Sequence, residues 1–433
     1  MIANVRLWGR TVGAVALEPG EKFSRFEFDS SFLRSGVEIS PLRMPLRRGV
    51  FSFPELPFET FHGLPGLLSD SLPDKFGNEL IDTWLASQGR LADEFDAVQR
   101  LCYTGTRGLG ALEFVPALGP DQDEGAALQI EALVELASQV LGRRSALTGS
   151  FADDGIGNSM ADILRVGTSA GGARAKAVIA WNPVTNEVRS GQIDAASGFS
   201  YWLLKFDGVT GNRDKELEDP LGYGAIEYAY YLMATAAGIE MNESRLLEEN
   251  GRRHFITKRF DRDGGDKIHM QSLAALCHFD FNSAGSYGYE QAFFAMRSIG
   301  IGSDGAAQMF RRMAFNVVAR NQDDHVKNIA FLMNRSGTWR LAPAFDMTYS
   351  YNPSGLWTAS HQMTVNGKRD GFTRDDFRAA GAAAILKRGA VDGILDEVLT
   401  AVSRWTEFAA AAGVPEGQSR KIGAAHRTAE FRR

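Results

Sequence analysis

The hydrophobic period of this chain changes part-way along it, and that change limits the possible folds more than any other feature. Residues 2 to 53 alternate short apolar runs (Val5 to Trp8, Val12 to Leu17, Phe23 to Phe28, Leu42 to Pro45, Val50 to Phe53) with breakers at Gly9, Pro19-Gly20 and Pro41. This is the pattern of a small, mostly antiparallel sheet. Beyond Met270 the apolar residues fall at helical spacing in Gln271 to Phe279, Tyr289 to Ile299, Ala306 to Arg320, Ala379 to Lys387, Ala390 to Trp405 and Phe408 to Ala412. In between, helices are expected over Asp74 to Ser87, Asp93 to Leu101 and Leu128 to Leu141, and strands over Ala111 to Val115, Ala177 to Trp181, Phe199 to Phe206 and His254 to Phe260. The breaker-rich residues 116 to 125 make the best linker. The expected class is α+β, β-rich first and mainly helical afterwards. A chain of 433 residues has room for two or three domains, and 44% hydrophobic content supports ordinary globular cores.

A net charge of -6 and a pI near 5.8 argue against wrapping nucleic acid through a general basic surface. Cys102 and Cys277 have no metal-ligand spacing and read as inert core thiols. The start, MIANVRLWGR, carries Arg6 and Arg10 where a signal peptide needs an unbroken apolar region, and no run reaches membrane-span length. A cytoplasmic location away from membranes is expected. The closing fifteen or so residues, with Arg420, Lys421, His426, Arg427, Arg432 and Arg433, read as a frayed, solvated helix or tail. The alternative for them is a phosphate-contacting role in a complex with DNA.

The densest group of ionisable residues is NQDDHVKN, Asn321 to Asn328, wedged between a helical apolar run and the strand-like Ile329 to Leu332. Asp346 follows beyond the turn Asn334-Arg335-Ser336-Gly337. Phosphoryl transfer needs an aspartate to orient a hydroxyl and take its proton, and an amide plus a second carboxylate to hold Mg²⁺. Protein-kinase catalytic loops set the aspartate and the amide five residues apart. Asp323, Asn328 and Asp346 stand in that order, with Lys327 close enough to steady the transferring group. Asp324 competes with Asp323 for the role of base. A hydrolase metal site from Asp323, Asp324 and His325 is a second possibility, weakened because three adjacent residues do not easily converge on one ion.

Upstream, GTSAGGARAK (Gly167 to Lys176) reads as a Gly-rich turn between strands. Gly171 and Gly172 allow close backbone approach, and Lys176 adds charge. The turn satisfies neither common phosphate-loop pattern. FSYWLLKF, Phe199 to Phe206, is a buried-strand pattern ending in Lys205, and Glu227 opens a helix from which it could pair with that lysine.

NQDDHVKN followed by PAFDMTYSYNP resembles the catalytic segment of the HipA-type toxin kinases, serine/threonine kinases of bacterial toxin–antitoxin modules. GLPGLLSDSLPDKFG (Gly63 to Gly77), GTSAGGARAK, KRFDR (Lys258 to Arg262) and VNGKR (Val365 to Arg369) extend the resemblance in the family's order over nearly the whole chain. It implies a two-lobed protein-kinase-like fold: an N-terminal β-rich subdomain over 1–115, a kinase N-lobe over 126–268 and a helical C-lobe over 269–433. It implies ATP and Mg²⁺ as cofactors, with Asp323 as base beside Lys327, and Asn328 and Asp346 on the metal. Gly171, Gly172, Ala173, Arg174, Lys176, Lys205 and His325 would contact the nucleotide. The backbone of Lys258 and Phe260 would meet the adenine edge, and Asp261 the ribose. Ser169 matches the family's autophosphorylation position, Thr168 being the competing acceptor, and a phosphate there would shut the enzyme down. The implied partners are a HipB-like helix-turn-helix antitoxin, through which DNA is met indirectly, and a protein substrate such as an aminoacyl-tRNA synthetase. Arg174 and Ala175 stand where better-known members have Gln and Glu. A small-molecule phosphotransferase and a catalytically silent corepressor subunit are the alternatives.

Overall fold

Strand β1 (Ile2–Leu7) buries Ala3, Val5 and Leu7 and exposes Ile2, Asn4 and Arg6, the alternation of a sheet with one face on a core. The chain reverses at Trp8 and Gly9, both at positive φ, into β2 (Arg10–Ala16). With β3 (Arg25–Phe28), β4 (Val50–Phe51) and β5 (Leu112–Val115) these form a five-stranded antiparallel sheet in the order β4-β3-β2-β1-β5. The expected run at Leu42 to Pro45 is a turn instead. Its Met44 and the preceding Ile39 are fully buried, Arg43 Nε donates to the Cys277 carbonyl at 2.8 Å, and Ser40 Oγ accepts from Gln271 at 3.1 Å. Its apolar residues answer to a distant core rather than to a pleat.

The computed structural model describes residues 1–87, 89–119, 128–142, 163, 174–191, 197–209, 213–214, 217–218 and 222–431. The chain divides into two units, one of Met1–Glu38, Leu46–Gly224 and Arg245–Met270, the other of Ile39–Pro45, Ala225–Ser244 and Gln271–Arg433.

The first unit holds a second sheet, with β6 (Lys176–Trp181), β7 (Val188–Ser190) and β8 (Ser200–Lys205). Its order is Ser244–Glu249, Arg252–Lys258, β8, β6, β7, and β8 runs antiparallel to both of its neighbours. Every residue of β6 is buried, as a strand covered on both faces must be. Ala177, Ile179, Trp202, Leu204 and Ile256 pack with Phe76, Leu80 and Ile81 of the helix Lys75–Ser87 and with Leu133, Val134 and Ala137 of the helix Ile130–Gly142. Each leucine, isoleucine, valine or phenylalanine among them contributes about 1.5–3 kcal/mol of burial. Asp74 caps the first of these helices by accepting the Gly77 amide at 2.6 Å. Asp96 and Gln99 form a capping box that starts the next helix at Ala97, four residues later than the pattern suggested.

The second unit is mainly helical: Tyr289–Ser298, Ser303–Val318, Arg374–Ala383, Arg388–Ser403, Trp405–Ala411 and Glu416–Ala425. Ser303–Val318 is its centre, burying Met309, Phe310, Met313, Phe315, Val317 and Val318. An antiparallel hairpin, Ala330–Met333 with Trp339–Leu341, closes through the expected turn, where Asn334 Oδ1 accepts the Ser336 and Thr338 amides and Gly337 takes φ +84°. The tail reading is overturned: Arg427 and Phe431 are each 1% exposed, whereas Arg420 and Lys421 face solvent on the last helix. Arg432 and Arg433 lie outside the described residues. Among the described residues, no helix is long and apolar enough to cross a membrane.

Candidate active site

The central helix delivers the chain to the polar segment. Beyond Val318 the backbone turns at Arg320 (φ +57°), and Asn321 forms a parallel bridge with Ser350. The Gln322 amide donates to the Ser350 carbonyl and the Ser350 amide to the Arg320 carbonyl, both at 3.1 Å. The two acidic stretches of the sequence therefore run side by side. Asn321 Nδ2 donates to Asn316 Oδ1 at 2.9 Å and reaches the Asp346 carbonyl at 3.5 Å. Asp346 takes φ +52°, a left-handed backbone that aspartate and asparagine adopt more readily than other non-glycine residues.

The adjacent aspartates occupy opposite environments. Asp324 has a fully buried side chain. Its Oδ2 accepts from the Tyr289 hydroxyl at 2.8 Å and from His361 Nδ1 at 2.9 Å, and its Oδ1 accepts the Gln362 amide at 2.8 Å. Burial would raise its carboxyl, but the neighbouring His361 and these hydrogen bonds outweigh burial and hold it below the ordinary carboxylate value. Burial and then the Asp324 charge push the Tyr289 phenol well above its usual range, so it remains a donor. Asp323 is 27% exposed, with Trp357 Nε1 donating to its Oδ1 at 2.6 Å and His325 Nε2 lying 3.9 Å from the same oxygen. One six-residue segment, Trp357 to Gln362, thus supplies donors to both aspartates.

Asn328 Nδ2 donates to the Asp323 carbonyl at 2.9 Å. A carbonyl only accepts, so the amide nitrogen must face it and Oδ1 is turned the other way. Asn328 and Asp346 thus offer an amide oxygen and a carboxylate, hard donors that fit Mg²⁺, an ion commonly held by one or two protein groups together with phosphate oxygens. Among the described residues, no group of three or more His, Cys, Asp or Glu could hold a metal ion. The hydrolase centre imagined from Asp323, Asp324 and His325 is not assembled, because Asp324 is turned inward. His325 and Lys327 both lie on Phe281, the ring centroids 5.9 Å apart and Lys327 Nζ 4.9 Å from the ring. His325 Nδ1 is buried with no hydrogen-bond partner.

In the first unit, Lys176 and Lys205 are directly opposed across β6 and β8 and so share a face of the sheet. Lys176 is 2% exposed and lies 3.5 Å from the Asp74 carboxylate. It is a buried half of an ion pair, not the solvent-facing lysine of a phosphate loop. Lys205 is half-buried with Nζ 5.8 Å from the Phe255 ring. Arg174 stacks on Tyr223 at 3.5 Å. Lys258 is exposed at its strand end and Phe260 half-buried. Asp261 is 2% exposed and accepts from Arg259, Arg262 and the Gly110 amide. Burial would raise this carboxyl, and the two guanidiniums hold it far below its usual value. The Asp261 carboxylate is therefore committed to an internal ion-pair network rather than presented to solvent, unlike the ribose contact expected of it. Glu227 is buried. Thr168, Ser169, Gly171, Gly172 and Ala173 lie outside the described residues.

Tyr289, Trp357 and His361 were not singled out by sequence reasoning, and Arg427 was read only as part of a solvated tail. Each reaches the site across at least 34 residues of chain, and only the HipA-like order of motifs around VNGKR could have drawn attention to their neighbourhood.

Two family models match: the HipA N-terminal domain over residues 3–115 and the HipA-like C-terminal domain over residues 168–406. No curated protein matches the sequence. Among solved structures, Shewanella oneidensis HipA, in a complex with HipB and operator DNA, is similar over 98% of this chain and 95% of its own, at 15% identity and a TM-score of 0.65. The Helicobacter pylori proinflammatory kinase CtkA matches over 53% of this chain and 91% of its own, at 13% identity and a TM-score of 0.31, too low to carry an argument. The Shewanella likeness establishes a shared fold, and the two domain matches, spanning most of the sequence in the family's order, establish kinship: the chain belongs to the HipA family.

Proposed function

We propose that this chain is an ATP- and Mg²⁺-dependent serine/threonine protein kinase, the toxin of a toxin–antitoxin pair. The observation that carries the reading is the division of labour between the adjacent aspartates. Asp324 is internal and saturated with donors, while Asp323 keeps a partly exposed carboxylate with one oxygen fixed by an indole. A carboxylate so held can orient a hydroxyl and take its proton. Asn328 Oδ1 and the Asp346 carboxylate would hold Mg²⁺, which when bound offsets charge on the phosphate oxygens. Lys205 would engage the α- and β-phosphates. The unpartnered His325 Nδ1 favours contact with a ligand, since buried polar atoms without partners are rare in folded proteins. Lys327 would steady the transferring phosphoryl group, held in place by Phe281. Arg174, the Gly171 to Ala173 stretch and the backbone of Lys258 and Phe260 complete the proposed nucleotide contacts, and Lys176 supports them from within the sheet.

The partner is proposed to be a HipB-like helix-turn-helix antitoxin that carries the contact with DNA, in keeping with the net charge of -6 on this chain. The substrate is proposed to be a translation component such as an aminoacyl-tRNA synthetase, the site of action the cytoplasm, and Ser169 the self-limiting phosphorylation site. Incubation with Mg²⁺ and γ-labelled ATP tests the proposal. Label on Ser169, lost in Ser169→Ala, supports it; label that persists moves the site to Thr168; no label on this chain or on any co-incubated protein refutes kinase activity.

A further inference from the structure

The residues expected to form a loose tail are instead built into the approach to the polar segment. Three consecutive residues grip it. The Ala425 carbonyl accepts Arg320 Nε at 3.0 Å. His426 Nε2 lies 3.0 Å from the Tyr230 hydroxyl, which itself donates to the Ala319 carbonyl at 2.6 Å, so the imidazole is the donor. The Arg427 amide donates to the Val318 carbonyl at 2.9 Å.

The Arg427 guanidinium goes further. It is 1% exposed, and Nη2 is anchored to Asp370. Its Nη1 lies 3.2 Å from His361 Nε2. Arginine only donates, so Nε2 must accept, and the proton of a neutral imidazole is thereby placed on Nδ1, facing Asp324 Oδ2 at 2.9 Å. From Asp324 the network continues through the Tyr289 hydroxyl to Asn316 Nδ2 at 3.0 Å and on to Asn321. It therefore ends at both sides of Asp323: at the residue beside it, and at the residue two before it.

We propose that Ala425–Arg427 braces the phosphoryl-transfer loop, with Arg427 and His361 acting through Asp324 as positioning residues for Asp323. This rests on the kinase reading of the same loop and adds what holds that loop in register. A buried guanidinium is costly unless every contact is good, and here its directional donors select the imidazole tautomer that Asp324 requires.

The test uses the full chain with Arg427→Met, His361→Phe and His361→Asn, whose amide nitrogen can stand in for Nδ1. Folded fraction, ATP affinity, phosphotransfer kcat and amide hydrogen exchange are measured together. The expected result is that Arg427→Met and His361→Phe lower kcat about ten- to hundred-fold without raising KM for ATP. Exchange at the Gln322 and Asn328 amides should rise about tenfold, and His361→Asn should recover most of both losses. Wild-type kcat per folded molecule together with wild-type exchange in both deletions overturns the brace. If either buried variant fails to fold, Asp370→Asn, at a side chain 56% exposed, releases the Arg427 anchor and should give smaller shifts of the same sign; no shift there overturns the proposal. A wild-type chain that transfers no phosphate refutes the kinase reading alone, because exchange still decides whether Arg427 and His361 hold the loop.

Discussion

Replacing Trp357 by Phe keeps an aromatic ring and removes one N–H. In the wild type that N–H donates to Asp323 Oδ1 at 2.6 Å. A hydrogen bond to a charged group contributes about 1.5–3 kcal/mol. Asp323 is 27% exposed, so water can take the vacated position, and the lower end of that range applies. A loss of about 1.5 kcal/mol from an interaction that holds the carboxylate in its transfer geometry corresponds to about a tenfold fall in rate. The assay is steady-state phosphotransfer by Trp357→Phe at saturating ATP, with KM for ATP and thermal unfolding measured on the same samples. The expected result is kcat down about tenfold at unchanged KM, because the indole N–H donates to the carboxylate proposed as the base. A kcat within about twofold of wild type would show that Asp323 is oriented by something else, and the argument from the indole would fail.

Two further outcomes follow from individual residues. Asp346→Asn retains a residue type that tolerates φ +52°, so its effect reports the lost charge and not the backbone. ATP affinity should fall about tenfold or more in the presence of Mg²⁺ and little in its absence, as calorimetric titration would read. His254 is fully buried, its Nδ1 accepts the Asp207 amide at 2.9 Å, and burial lowers its pKa from 6.5 to about 4. The unfolded imidazole therefore binds more protons than the folded one between those pH values, so stability is full above pH 6.5 and declines as pH falls through about 4. The loss over that window is about 3 kcal/mol, and denaturant melts at pH 7.5 and 4.5 should show it shrinking in His254→Gln; an identical pH dependence in the variant would contradict the assignment.

The sequence revealed those parts of the molecule whose signal is local. The alternation of exposed and buried residues along β1, the helical spacing of Met309 to Val318 and the Asn334 turn each depend on residues within a few positions of one another. The contact of Asn328 with the Asp323 carbonyl, five positions away, is local in the same sense. What the sequence could not display was orientation. Nothing in the string DD says that one carboxylate is internal and its neighbour partly exposed, because the donors that decide it come from Tyr289, Trp357 and His361, 34 to 37 residues away. The closing segment misled for the same reason. A cluster of arginines reads as solvated unless the carbonyls and imidazole that will satisfy them are known, and for Arg427 these are Val317 and His361, 110 and 66 residues distant. Lys176 likewise looked like a loop lysine because its partner Asp74 lies about a hundred positions upstream.

The central claim, that Asp323 takes the proton of an attacking hydroxyl, is tested most directly by single-turnover phosphotransfer from γ-labelled ATP in wild type and Asp323→Ala, with ATP affinity measured in parallel. The account predicts transfer reduced by about a hundredfold or more while ATP binds within a few-fold of wild type. Undiminished transfer by the Asp323→Ala chain would contradict it.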